Sequence, residues 1–453
     1  MEYQEYKDYR EYFENLIQKK EFKVLKEEIT GLNVVDIAEI IEDLEDKNMI
    51  LVFRMLPKEI SAEVFSYMEI PNQLRIVNAI TEPELKEIID DLYFDDKIDF
   101  LEEVPANVVK RILKDIPHSE RKLINEFLKY PEDSAGSMMT IEFIHFRPEM
   151  TVEDAMKHIK ETGMDTETIY TCYVENEYKM LIGFISLRTL VVSDPKSLIK
   201  DIMVEDLITV NTLDDREDVA DKFKKYGYIA LPVVDSERRL CGIITFDDIL
   251  EVVEDETTED FHKMAAINPS EEEYLNQTPW QLAKNRIPWL LILMISATFT
   301  SGIINNFNYI VAQFIILNNF IPMITGTGGN SGSQASTTII RALGTDEIGF
   351  GDFNKVVFRE FLVGLMCGGA LGFVNFLRLI FISKTAVNVS FLVSLTIVVT
   401  VTLSKCLGAA LPMGAKKIGL DPAIMAQAVI TTIIDSIVLI IYFSLASLIL
   451  PIN

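Results

Sequence analysis

Between Val429 and Leu450 runs the segment "VITTIIDSIVLIIYFSLASLIL", apolar throughout except for a few hydroxyls and one acid, Asp435. No other feature constrains the fold so tightly. A stretch of this kind needs a bilayer, and it is one of several. Candidate spans lie at about 287–311, 312–341, 356–382, 387–413 and 422–450, each long enough to cross a hydrocarbon layer of roughly 30 Å at about 1.5 Å per residue. Five crossings put the two termini on opposite sides. With the N-terminal part inside, Lys284, Arg286, Arg341, Lys355, Arg359, Lys416 and Lys417 fall on inner flanks, and only Arg378 and Lys384 on outer ones. That bias satisfies the positive-inside rule, placing the N-terminal half in the cytoplasm and Asn453 outside. The charged start "MEYQEYKDYREYFENL" does not read as a signal peptide, so insertion is expected to rely on the later apolar segments.

Charge divides the chain at the same place. Residues 280–453 hold 10 Lys+Arg against 6 Asp+Glu, whereas residues 1–279 hold 32 against 63. So acidic a water-facing half attracts cations and repels nucleic acid. The four cysteines, Cys172, Cys241, Cys367 and Cys406, form no CxxC pair, which argues against a disulfide framework or structural zinc and suits a reducing compartment.

Two internal repeats organise the acidic half. "DIAEIIEDLEDKNMILVFRMLP" (36–57) resembles "ELKEIIDDLYFDDKIDFLEEVP" (84–105), so that Ile40, Ile41, Leu44, Ile50, Phe53 and Pro57 match Ile88, Ile89, Leu92, Ile98, Leu101 and Pro105. Paired amphipathic helices in tandem predict a small helical superhelix over residues 1–130, in which units bury their faces against one another. From 131 to 255 the texture changes. "GFISLRTL" (183–190) aligns with "GIITFDDI" (242–249), each a strand leading into a helix, which predicts an α/β module of two pseudo-symmetric halves. The acidic run "EVVEDETTED" (251–260) is expected to continue as a helix toward Trp280, making 256–285 a connector and 286–453 an all-α membrane domain of five helices.

Inside the membrane domain Asp435 is costly. At a helix centre an aspartate is disfavoured by about 2.5–3.5 kcal/mol, and such residues by default mark an ion or substrate path. The alternatives are a protonated acid or a pair with Lys405. Thr431 and Thr432 lie four and three residues earlier on the same face, giving an oxygen-lined stripe suited to a hard cation. In the second span, "IPMITGTGGNSGSQASTTIIRAL" (321–343) carries Pro322, four glycines and a polar cluster. It predicts an interrupted helix whose freed carbonyls, with Gly328, Gly329, Asn330, Ser333, Gln334 and Thr337, line a cavity. Close helix packing through small residues is the other reading. All four histidines lie at or before His262, and with no imidazole in the membrane half, oxygen donors point to Mg²⁺, Ca²⁺ or Mn²⁺.

"YPEDSAGSMMT", the paired β-α repeats, "TTED", "RIPWL", the GTGGN segment, "LDPA" and "TTIIDSIVLIIYF" together resemble the MgtE family of bacterial magnesium channels, in the same order and over essentially the whole chain. The resemblance implies a homodimer in the bacterial cytoplasmic membrane, with a helical N-domain, two CBS domains, a connecting "plug" helix and five transmembrane helices, and no enzymatic activity. It implies that Asp435 is the pore carboxylate, once from each subunit, with Thr431 nearby and Gln427 just before the pore segment. It also implies feedback. Regulatory Mg²⁺ would bind Asp95 and Asp99 of the N-domain, Asp215, Glu217 and Asp248 of the CBS pair, and Glu256, Glu259 and Asp260 at the base of the plug. Two like charges at about 4 Å repel by about 4 kcal/mol at an effective dielectric of about 20, so a few bridged pairs supply the roughly 5.5 kcal/mol of a full switch.

CBS pairs commonly bind ATP or AMP, and "GIITFDD" (242–248) fits their pattern, giving Thr245, Asp248 and Arg188 as candidate nucleotide contacts. The chain departs from the family at Gln427 and Ala428, at Ser333, and at Gly227, where an aspartate is usual. These departures bear on selectivity and on one sensor ligand. Two other functions fit the same sequence, a gradient-coupled divalent-cation carrier and a non-transporting CBS membrane sensor.

Overall fold

Ten short helices, from Tyr3–Lys19 to His118–Phe127, build the first part of the chain. The computed structural model describes residues 3–270, 274–275 and 277–451, in two units, Met1–Val253 and Glu254–Asn453. The predicted repeat is visible as two helix pairs, Val34–Glu42 with Asp46–Phe53 and Glu82–Asp91 with Phe94–Glu103. Ile40, Ile41, Leu44 and Phe53 are buried in the first pair, and Ile88, Ile89, Leu92, Ile98 and Leu101 in the second. Pro57 and Pro105 each stand at the N-cap of the next helix, where a missing N–H costs nothing and the fixed φ sets an extended entry.

Six strands follow in two sheets. Strand β1 (Phe143–Phe146) pairs parallel with β2 (Thr168–Glu175), which pairs antiparallel with β3 (Leu181–Ser186). Strand β4 (Val210–Asn211) pairs parallel with β5 (Ala230–Val234), and β5 antiparallel with β6 (Leu240–Thr245). The same order in both sheets is the pseudo-symmetry expected from the matched motifs. Ser186 caps the helix after β3, and Thr245 with Asp248 begins the helix after β6. Gly227 closes the Arg216–Tyr226 helix at φ +67°, a left-handed position that a β-carbon would strain, which accounts for glycine there.

The helix after β6 runs from Phe246 to Met264 and stops. The expected continuous connector to Trp280 is therefore wrong. Ala266 takes a left-handed conformation, Asn268-Pro269 follows, and a new helix starts at Pro279 behind a Thr278–Gln281 capping box. Proline cannot donate to a continuing helix, and a capped proline opens one readily.

Among the described residues four helices are long and apolar enough to cross a membrane, within Pro279–Asn306, Phe350–Phe381, Val387–Lys417 and Gln427–Ile449. Between the first two lies a more polar helix, Ile321–Gly344. It is unbroken, which corrects the predicted interruption at GTGGN, and its backbone frees no carbonyls there. Pro322 sits in its first turn, where proline is tolerated. The glycines serve packing instead. A β-carbon on Gly408 of the Val387–Lys417 helix would come within 2.4 Å of the Gly332 carbonyl oxygen, and one on Gly364 within 2.7 Å of the Thr402 Cα. Small residues let these backbones touch, as membrane helices require where no hydrophobic driving force acts between them. The expectation for Asn453 falls outside the described residues.

Candidate ion sites

The acidic half concentrates carboxylates at one place. Asp95, in the first turn of the Phe94–Glu103 helix, is 8% exposed. Its carboxylate meets those of Glu142, just before β1, and Glu167, just before β2, with one oxygen of each within 4.8 Å of the others. Local bonds set this up. The Glu167 amide donates to the Glu142 carbonyl at 2.8 Å, and the Phe94 amide donates to Glu142 Oε2 at 3.0 Å. Glu142 thus serves the positive end of that helix. Glu167 Oε2 is buried and accepts no hydrogen bond among the described residues.

Burial and mutual repulsion raise these acids above the ordinary carboxylate range. Loss of water, then Asp248, Asp247, Asp96 and Glu142, pushes Glu167 up to about 8. Desolvation and Asp248 raise Asp95 well above the carboxylate range, and the same pair of causes lifts Asp96 to about 6. Asp99 is pushed up to about 8, by desolvation first and then by Asp96, Glu102, Asp248 and Glu251, although the residue is exposed at the protein surface. Burial also raises Asp248, against the bond it accepts from Thr245 Oγ1 at 2.6 Å. Lys97 is buried nearby but pairs with Glu120 at 3.0 Å. Three carboxylate oxygens from different segments, one residue buried and two half-buried, form a donor set suited to a hard divalent ion.

The sequence singled out Asp95, Asp99 and Asp248 of this group and missed Asp96, Glu142, Glu167 and Glu251. Asp96 was legible in the run "FDDKID"; the glutamates had no local signal, because only the tertiary fold carries two loop residues to a helix start. Asp215 and Glu217 are not brought in. Asp215 caps the Arg216–Tyr226 helix by accepting from the Glu217 amide at 2.9 Å, and neither perturbs the clustered acids. Arg188 is exposed and makes no hydrogen bond to Thr245 or Asp248 among the described residues.

A second acidic group lies on the helix that ends at Met264. Glu259 and Asp421 flank Lys263, whose Nζ is 2.7 Å from Glu259 Oε1 and 2.8 Å from Asp421 Oδ2. Burial, then Asp421, pushes Asp260 up to about 6, with Glu256 and Glu259 adding to the rise and Lys263 opposing it. Partial burial works against the Lys263 charge, yet its two carboxylate partners raise it above the ordinary lysine value.

In the membrane domain Asp435 is half-buried and has no hydrogen bond or ion pair among the described residues. Lys405 is 7% exposed and does not pair with it. The glycine-rich helix covers one side of the Gln427–Ile449 helix: β-carbons on Gly328 and Gly329 would lie 3.1 Å from Ile434 Cγ2 and from Thr431 Cγ2. Thr300 of the first membrane helix bonds Ser436 at 3.2 Å on another side. At 3.6 residues per turn Asp435 falls between the two covered sides. Thr431 and Thr432 both donate back to the Ala428 carbonyl at 3.0 Å, leaving their oxygens with acceptor capacity only. Gln427 opens the helix, exposed, and Asn330 and Gln334 form an exposed polar stripe on the glycine-rich helix. Gly328 and Gly329 are buried packing positions.

Family models match most of this architecture: a divalent cation transporter domain (MgtE) over residues 321–445, an MgtE intracellular N domain over 32–133, and CBS domains over 135–194 and 199–255. The magnesium transporter MgtE of Thermus thermophilus is 34% identical over 440 residues, covering 96% of this chain and 97% of that protein. The magnesium transporter MgtE of Enterococcus faecalis is 34% identical over 325 residues, 72% of this chain and 71% of that one. Among solved structures, the cytosolic domain of the Mg²⁺ channel MgtE in complex with ATP is similar at 33% identity and a TM-score of 0.51, covering 53% of this chain and 98% of that one.

Proposed function

The chain belongs to the MgtE family, and from that premise we propose that it carries Mg²⁺ across the bacterial cytoplasmic membrane through a pore built around Asp435. The observation that carries this reading is a carboxylate within an apolar helix that has neither a cation partner nor a hydrogen bond among the described residues. An intramembrane acid kept for structure would be paired. One left open between two covering helices is available to a passing ion. The protein works as a homodimer, in which the exposed polar stripe of Asn330 and Gln334 and the open side of Asp435 face the second subunit. Mg²⁺ dehydrates reluctantly, so two carboxylates that hold it through its waters avoid most of the dehydration cost. Thr431 and Thr432, with acceptor lone pairs to spare, take hydrogen bonds from those waters.

The N-terminal half lies in the cytoplasm, with the C-terminus outside, and senses Mg²⁺ there. Asp95, Glu142 and Glu167 take one ion, with Asp99 and Asp248 at its margin. Binding relieves the repulsion between the helical N-domain and the β-α pair and compacts them. Glu256, Glu259 and Asp260 pass the state to the membrane domain. The domain limits 1–130, 131–255, 256–285 and 286–453 describe this division of labour, with the connector now a helix to Met264 and a turn. ATP or AMP would bind the β-α pair at Thr245, Asp248 and Arg188.

The test is Mg²⁺ uptake by proteoliposomes carrying the full-length protein. Asp435→Asn abolishes uptake while leaving the dimer intact. Uptake that ignores imposed H⁺ and Na⁺ gradients separates a channel from a gradient-coupled carrier. Undiminished uptake by D435N would take Asp435 out of the ion path, and wild-type uptake no greater than that of protein-free vesicles would leave a non-transporting sensor as the better description.

A further inference from the structure

Lys263 stands where the connecting helix ends, bonded at once to Glu259 on its own helix and to Asp421 on the loop that leads into the Asp435 helix. The three side chains are between a quarter and a third exposed, so water screens the contacts only partly. Asp421 is doubly committed. Its Oδ1 accepts from the Ala423 amide at 2.8 Å, and its Oδ2 holds Lys263. Two residues on, the Met425 carbonyl accepts from the fully buried Ser336 hydroxyl at 2.8 Å, which ties the same loop to the glycine-rich helix. A displacement of Lys263 is therefore delivered, through Asp421, to the entry of the helix that carries Asp435.

The ammonium occupies part of a carboxylate group, Glu256, Glu259 and Asp260, to which the function proposed above assigns a regulatory divalent ion. An ammonium and a divalent cation cannot share Glu259 without repulsion, since two cations at about 4 Å oppose each other as strongly as two anions do. We infer that Lys263 is a built-in counter-ion which competes with Mg²⁺ for Glu259 and so sets the Mg²⁺ concentration at which the connector engages the entry of the Asp435 helix. This rests on the Mg²⁺-gated reading and adds to it a residue that holds the set point up. Without Lys263 the connector would respond to Mg²⁺ at lower concentrations.

A local reporter exists. The chain has two tryptophans, Trp280 and Trp289, both at this junction, and Trp289 Nε1 donates to Asn268 Oδ1 at 3.0 Å. Mg²⁺ titration of tryptophan fluorescence on the full-length protein in detergent gives a midpoint that does not depend on transport. The expected result is that Lys263→Met lowers this midpoint about three- to tenfold, the size of effect one partly screened charge exerts. Lys263→Arg, which keeps the charge, leaves it in place. Lys263→Gln guards against a misfolded methionine variant and reads the same way. An unchanged or raised midpoint in both neutral variants overturns the inference, as does a wild-type protein whose fluorescence never responds to Mg²⁺. If the midpoint shifts as stated but Mg²⁺ leaves wild-type uptake undiminished, the competition stands and the gating reading fails.

Discussion

The two carboxylate sites of this protein solve opposite problems. In the acidic half, Asp95, Asp96, Asp99, Glu142, Glu167 and Asp248 crowd together, and the repulsion is relieved by protons. On the apolar Gln427–Ile449 helix of the membrane domain, Asp435 stands as the one acid. Where water is near, many acids can be gathered because each escapes ionisation cheaply, and the gathering makes occupancy sensitive to cation concentration. At bilayer depth each extra charge costs kilocalories, so acids are not gathered there as they are in the acidic half. In the function proposed above, the crowd is the sensor and the solitary acid the passage.

The largest expected effect tests the passage. Asp435→Asn should cut Mg²⁺ uptake by about 100-fold or more, the loss expected when a fixed charge of several kcal/mol is removed from an ion path. Uptake within twofold of wild type would erase the contrast between the two sites. Next comes the packing that holds Asp435 in place. Gly408→Val pushes a side chain into the Gly332 backbone, 2.4 Å from where its Cβ would sit. The variant should lose about 1–3 kcal/mol or more, measured as a lower detergent-melting temperature with the soluble half unaffected.

The sensor should respond to neutralisation in a graded manner. Asp95→Asn with Glu167→Gln removes two of the three clustered donors. The gain in protease resistance that Mg²⁺ gives the wild type should shrink by at least half, while resistance in Mg²⁺-free buffer rises because the repulsion is gone. The smallest effect is that of pH. Glu167 and Asp99 sit near 8 and Asp96 near 6 in the folded protein, against the ordinary carboxylate range when unfolded. The folded state then binds more protons than the unfolded one across the interval from about 8 down to about 4, so its stability rises as pH falls through that window and is lost as pH rises through it. In Mg²⁺-free buffer the melting temperature of the acidic half should climb by a few degrees between pH 8.5 and pH 5.5. Saturating Mg²⁺ should flatten that slope, since the ion replaces the protons.

Much of the architecture was legible because it rests on periodicity. The match of Ile40, Leu44 and Phe53 to Ile88, Leu92 and Leu101 predicted two helix pairs, and all six residues are buried. "GFISLRTL" and "GIITFDDI" predicted two equivalent strand-helix units, and both sheets have the same order. The GTGGN segment misled. Glycine lowers helix propensity, but propensity is a weak prior, and contact with two neighbouring helices outweighs it at Gly328, Gly329 and Gly332. The connector misled in the other direction, because an acidic helical pattern hid the stop signal Asn268-Pro269.

The amino-acid order alone determined that this chain has a strongly acidic half, a half of long apolar helices, and one carboxylate inside the last of those helices, because hydrophobicity and charge are additive properties of residues. Only the tertiary structure decided that Glu142 and Glu167 meet Asp95, that Lys263 bridges Glu259 to Asp421, and that the glycines of the second membrane segment pack rather than break. Those are distances between residues far apart in the chain, set by how whole surfaces fit, and no local pattern encodes them.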